Sequence, residues 1–235
     1  SYSNGTLTNT KDCPSNVFAT LNPLAPSSSV LTITNGNTYI YNQSPNSWTT
    51  TPATLAIPPT AKIYWEIKCV NVWGSANCEN HGITDLDNII QTLTGQASAN
   101  ATSFAWRNNA SFITGGSVIS GTTWASSYTT GDFLMFALDN ANGALYAGKN
   151  GTWLNSGNPT SGSSKTGALS VTAGLNYAPY SETQYGSDNP AYNFGNGVFV
   201  TTAVSSAGTN ASNNGVFEYD VPTGYTALST KGLNL

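Results

Sequence analysis

Charge is what this chain has least of. Only 8% of its 235 residues are Asp, Glu, Lys or Arg, against about 25% in typical soluble domains. The seven basic residues (Lys11, Lys62, Lys68, Arg107, Lys149, Lys165 and Lys231) are scattered, and the formal net charge is −4. A nucleic-acid partner needs clustered cations to neutralise phosphates, so none is expected. No apolar run approaches the ~20 residues of a membrane-spanning helix, and no basic-then-apolar secretory leader opens the chain. Membrane insertion is therefore not expected. Histidine occurs once, as His81. One is enough for a Ser-His-Asp triad, but no Gly-x-Ser-x-Gly elbow accompanies it. The Gly-rich stretches lack the Lys-Ser/Thr of a phosphate-binding loop, and no repeat of fixed period occurs.

In place of charge the chain carries Ser, Thr, Asn and Gly. Solubility then rests on neutral hydrogen-bonding groups, a composition that suits an extracellular or virion surface. Hydrophobic residues make up 39%, but six Trp, twelve Tyr and eight Phe bury a large area per residue. A core is therefore within reach, and the length fits one large all-β domain or two small ones.

Residues 131–154, GDFLMFALDNANGALYAGKNGTWL, organise the rest. Phe133 to Leu138 is an unbroken apolar run, long enough for a buried strand and too short for an independent helix. Asp139-Asn140-Ala141-Asn142-Gly143 turns the chain. Residues 144–147 return as a second strand, and Lys149-Asn150-Gly151 turns it again before Trp153. Two more hairpins are predicted, around Asn35-Gly36-Asn37 (strands at 30–33 and 38–41) and Asn108-Asn109 (strands at 104–106 and 111–113). Strands are also expected at 61–69, 168–175, 197–203, 216–219 and 225–228, and a short helix or 3₁₀ turn within 85–95. Residues 177–193 and 205–214 read as loops. Many short strands with frequent turns predict an all-β, antiparallel, jelly-roll-like sandwich with little helix. One domain over residues 12–235, after a polar leader or linker at 1–11, accounts for the pattern.

The central stretch resembles the core signature of SPRY domains: Gly-Asp, an apolar strand ending in Leu-Asp, Asn-Gly, then Lys-Asn-Gly before an aromatic residue. Ile63-Tyr64-Trp65-Glu66-Ile67 is similar to the family's early YWE strand, with His81-Gly82-Ile83 starting the next. Tyr192-Asn193-Phe194-Gly195 and the run from Val221 to Leu228, VPTGYTAL, resemble its closing segment. Residues 12–24, DCPSNVFATLNPL, are similar to a leader of SPRY-like modules in bacteriophage tail and other virion proteins. The matches run in consistent order over residues 12–235. Ala147-Gly148 departs from the aromatic pair usual before Lys-Asn-Gly, and the loops after Leu175 and Val200 are long. The resemblance implies a concanavalin-like sandwich that binds through loops at one end.

Candidate chemistry is sparse. His81 sits at a strand start and reads as a hydrogen-bonded structural histidine rather than a catalytic one. Cys69, Cys78 and His81 lack a fourth partner and the spacing of a zinc site. Asp85-Leu86-Asp87-Asn88 offers oxygens to calcium, but helix capping explains it equally and no EF-hand loop surrounds it. No two carboxylates pair as a glycosidase would require. No cofactor and no metal are expected. Cys69 and Cys78 flank a polar loop at 70–77. They would close it as a disulfide, for roughly 2–3 kcal/mol, if their strands were antiparallel neighbours. As free thiols they would be small hydrophobes. The bridge is carried forward as the expectation, with Cys13 unpaired. Six Asn-x-Ser/Thr sequons, at Asn4, Asn42, Asn100, Asn109, Asn150 and Asn210, are what chance supplies in so Asn-, Ser- and Thr-rich a chain.

The off-strand aromatics say more. Tyr180, Tyr185 and Tyr192 lie in one Gly/Ser/Asn-rich stretch, 178–192, and Trp73 sits in the loop between Cys69 and Cys78. Rigid rings among small polar residues are the composition of a recognition loop; the other reading is that they fold back as lids over the sandwich ends. The function expected is a non-enzymatic virion-surface module, a phage tail or capsid appendage, binding a host-surface glycan or protein through Trp73, Tyr180, Tyr185 and Tyr192. Other virion subunits are partners under the alternative, a structural decoration or assembly protein, and homo-oligomerisation is left open. A polysaccharide-acting enzyme of concanavalin-like fold is the remaining competitor.

Overall fold

The computed structural model describes residues 12–24, 31–42, 47–74, 77–89 and 96–234. The leader at 1–11, Val30 and the part of the expected helix at 90–95 lie outside them. Among the described residues the strands begin with β1 (Leu31–Thr34), β2 (Tyr39–Asn42), β3 (Thr49–Pro52), β4 (Lys62–Asn71) and β5 (Glu79–Asp85). A single helical turn, α1 (Leu86–Ile89), follows. Next come β6 (Ser103–Arg107), β7 (Ser111–Thr114), β8 (Ser117–Val118), β9 (Phe133–Asp139), β10 (Ala144–Lys149) and β11 (Thr152–Trp153). The last are β12 (Leu169–Ser170), β13 (Tyr177–Thr183), β14 (Asn189–Asn193), β15 (Val198–Phe199), β16 (Thr202–Ala203) and β17 (Thr226–Ala227).

Two sheets form a sandwich. The first runs β1-β2-β14-β4-β9-β10-β11, with β12 on β10 and β17 parallel to β4; the second runs β3-β13-β5-β6-β7-β8. All their other pairings are antiparallel. This is the all-β sandwich that the strand pattern predicts. The turn signals hold as well: Asn35, Gly36 and Asn37 all have positive φ between β1 and β2, and Gly143 and Gly151 have φ of 61° and 85° at the central turns.

The apolar run in β9 is unbroken because both faces of the first sheet are covered. Leu134, Phe136 and Leu138 of β9, with Ile63, Trp65, Ile67 and Cys69 of β4 and Leu145 of β10, enter the core between the sheets. The alternate residues Tyr64, Met135, Ala137 and Tyr146 pack on the outer face against Phe217, Val221 and Tyr225. Residues 216–219 are therefore not the predicted closing strand. They form a cover fastened by the buried Glu66, whose Oε1 accepts the Tyr64 hydroxyl and Tyr219 N–H at 2.8 Å each. Its Oε2 accepts Glu218 N–H at 2.9 Å and the Asn193 amide at 3.3 Å. Four donors support the carboxylate, yet burial still pushes its pKa up to about 7.

The largest departure from expectation is residues 177–193. They form two strands, β13 and β14, one in each sheet, and only the connection at 184–188, which carries Tyr185, is a loop. Their sequences lack an aliphatic alternation because Tyr, Ser, Glu and Asn side chains meet polar partners inside the protein.

Candidate functional site

At one end of the sandwich four connections come together: β4–β5, β6–β7, β13–β14 and the segment leading into β9. Trp73, in the first, is 47% exposed. Tyr185, in the third, stacks on it with ring centroids 5.5 Å apart and planes 25° from parallel. Asp188 holds the pair. It is fully buried; its Oδ1 accepts Trp73 N–H at 2.8 Å, and its Oδ2 accepts Tyr185 N–H at 2.9 Å and Gln184 N–H at 3.3 Å. Burial, with buried Glu79 nearby, raises its pKa to about 6.

Beside Trp73 lies an open groove of about 580 Å³, lined also by Asn108, Asn109, Ser127, Thr129 and Thr130. Its walls are fixed by hydrogen bonds. Val72 N–H donates to Thr130 Oγ1 at 2.9 Å, and Cys78 N–H to Asn108 Oδ1 at 3.2 Å. The Asn109 amide donates to Asn77, and Lys149 Nζ donates to the Ser127 carbonyl at 2.8 Å. Tyr128 closes the floor, its hydroxyl donating to the Glu79 carbonyl at 2.8 Å.

The other two tyrosines expected at the rim are elsewhere. Tyr192 is 0% exposed in the main core, and Tyr180 is 0% exposed on the outer face of the second sheet, packed with Ala97, Ala105 and Ile113. Strand pairing puts them there: Tyr192 is opposite Ile67 of β4 and Tyr180 opposite Gly82 of β5. The expected Cys69–Cys78 bridge is likewise absent, and both side chains are buried thiols. Cys69 lies in β4 of the first sheet and Cys78 immediately precedes β5 of the second, so they are not antiparallel neighbours. The Asn108 amide donates to Cys78 Sγ at 3.2 Å, and burial raises both thiol pKa values.

His81 is structural. Its ring is fully buried, with Nδ1 2.9 Å from the Tyr192 hydroxyl and Nε2 2.9 Å from Glu79 Oε1. The Tyr192 hydroxyl donates to the Tyr180 carbonyl at 2.9 Å, so it accepts from Nδ1–H. Nε2 is then an acceptor, and the proton between it and Glu79 sits on the carboxyl. Burial favours this neutral pair, pushing His81 down to about 3 and Glu79 well above the usual carboxylate range.

Asp188 and the groove residues were not singled out from sequence. Asn108-Asn109 is legible only as a turn, and its place beside Trp73 depends on the β5–β6–β7 register. Asp188 shares the 177–193 stretch with one other carboxylate, Glu182, and nothing local marks which of the two reaches Trp73.

No protein-family model and no curated protein matches the chain. Among solved structures it is similar to the SPRY domain of human HERC1, with a TM-score of 0.55 and 14% identity over 73% of this chain and 96% of that one. A second human SPRY domain is similar at a TM-score of 0.54 and 11% identity, over 70% of this chain and 94% of that one. Identity this low speaks for architecture and not for ligand. The chain has the SPRY fold.

Proposed function

We propose that the protein is a non-catalytic recognition module that engages its partner through the rim formed by Trp73, Tyr185 and the adjoining groove. The observation that carries this reading is an exposed indole held rigid by a buried carboxylate and a stacked tyrosine. Loops on a rigid scaffold are where binding concentrates, and a pre-organised aromatic loses little freedom on complex formation. The absence of catalysis is supported by His81, which has both ring nitrogens engaged inside the core. Placement on a virion surface, as a phage tail or capsid appendage meeting a host-surface glycan or protein, rests on the resemblance of residues 12–24 to phage leaders.

Attachment of the labelled protein to a panel of bacterial strains tests the reading. Trp73→Ala combined with Tyr185→Ala is expected to weaken attachment at least tenfold, while the melting temperature moves little because the rim lies at a loop tip. Attachment at full strength by the double variant would place the binding surface elsewhere.

A further inference from the structure

The groove beside Trp73 has a lining that restricts what can occupy it. Its volume of about 580 Å³ falls within the ~300–1,000 Å³ of small-ligand sites. Trp73 supplies a flat exposed ring, Ser127 and Thr129 supply hydroxyls, and Asn109 supplies an amide, while Asn108 and Thr130 are engaged within the wall. No Asp, Glu, Lys or Arg lines it. Tyr185 backs the indole without entering the groove, and Asp188 ties both segments through their main-chain amides.

We infer, resting on the rim reading above, that this groove binds an uncharged glycan, with a pyranose ring stacked on Trp73 and its hydroxyls bonded to Ser127, Thr129 and Asn109. A pyranose face presents C–H groups of slight positive character, which suit the electron-rich face of an indole. Its edge presents hydroxyls that donate and accept at once, and side-chain hydroxyls and amides match both roles. A sialylated or uronate sugar would bring a carboxylate to a lining whose adjoining cation, Lys149, is already engaged by the Ser127 carbonyl and by Asp132. A peptide draws most of its affinity from a few anchors seated in apolar or charged pockets. Beyond the two rings, the aliphatic lining here is only Val72 and Ala110.

The test is tryptophan fluorescence and saturation-transfer NMR of the whole chain. The probes are uncharged oligosaccharides built from glucose, galactose, mannose and N-acetylglucosamine, beside sialylated and uronate-containing ones. At least one uncharged member is expected to bind with a dissociation constant in the millimolar range or tighter, and the charged ones more weakly. Trp73→Ala, and separately Ser127→Ala with Thr129→Ala, are expected to weaken that binding at least tenfold with melting unchanged. Failure of every uncharged member, or binding that survives Trp73→Ala, overturns the inference. If cell attachment needs Trp73 and Tyr185 while the panel fails and protease treatment of the cells abolishes attachment, the rim stands and its ligand is a protein. If attachment ignores Trp73, the rim reading falls with the glycan.

Discussion

Asp188 and Trp73 are 115 residues apart in sequence, and the buried carboxylate of the first accepts the main-chain N–H of the second at 2.8 Å. The same carboxylate accepts Tyr185 N–H, so one side chain sets the position of both stacked rings. Asp188→Ala leaves these part-buried amides without their acceptor, and a fully buried unmet donor would cost about 1–3 kcal/mol, which sets the upper bound for each. The variant should melt earlier, and hydrogen exchange at Trp73 and Tyr185 should accelerate more than at β9. Equal protection of those amides in variant and parent would mean that the clamp is not what holds the rim.

The two central turns should differ in their tolerance of side chains. Gly143 and Gly151 both have positive φ, which costs an L-residue roughly 1–2 kcal/mol. A Cβ on Gly143 would also lie 2.4 Å from the Val171 carbonyl oxygen, whereas on Gly151 it would meet only the Tyr219 ring, at 3.0 Å. Gly143→Val should therefore lower the melting temperature more than Gly151→Val. The reverse order in calorimetry would contradict the turn geometry.

Stability should rise on mild acidification. Burial, the first cause in each case, raises Glu66 and Glu182 to about 7, Asp188 to about 6, and Glu79 well above its ordinary value. A folded state that holds these protons more tightly gains a contribution complete below the unfolded carboxyl values near 4, and loses it as pH climbs towards 7. His81 opposes this: held at about 3 against 6.5, its contribution is complete above 6.5 and drains as pH falls towards 3. Four carboxyls outweigh one imidazole, so the melting temperature should be higher at pH 5 than at pH 8. Glu182→Gln should flatten the difference, and an unchanged slope would remove Glu182 from the account.

The cysteines have a simple test. Unfolded without reductant, the protein should take up alkylating reagent at Cys13, Cys69 and Cys78 alike, because none of the three is in a disulfide. In the native state Cys13 should react first. It is exposed, and its hydrogen bond with Ser15 lowers its thiol pKa, whereas Cys69 and Cys78 are buried and theirs are raised. A linked Cys69–Cys78 peptide in non-reducing mapping would restore the bridge.

The legible parts of this protein are those with local causes. Asn35-Gly36-Asn37, Asn142-Gly143 and Asn150-Gly151 announce turns because few other residues adopt positive φ without strain. The apolar runs between them announce buried strands. Residues 177–193 hide their strands for the same reason: without an aliphatic alternation and rich in Tyr, Ser and Asn, they carry the local marks of a loop. Their strand character comes from β4 and β5, far away in sequence, and so does the burial of Tyr180 and Tyr192.

Pattern and composition therefore settled that this chain is an antiparallel β-sandwich, since turn chemistry and strand burial are properties of short stretches. They also placed Trp73 in the loop between Cys69 and Cys78, and the tertiary structure decided that its ring is exposed. Whether Cys69 could reach Cys78, which tyrosines faced solvent, and that Asp188 would join Trp73 to Tyr185 were decided by sheet membership and register. A strand's partner fixes the direction of its side chains, and those partners lie scores of residues away, where no local signal reaches.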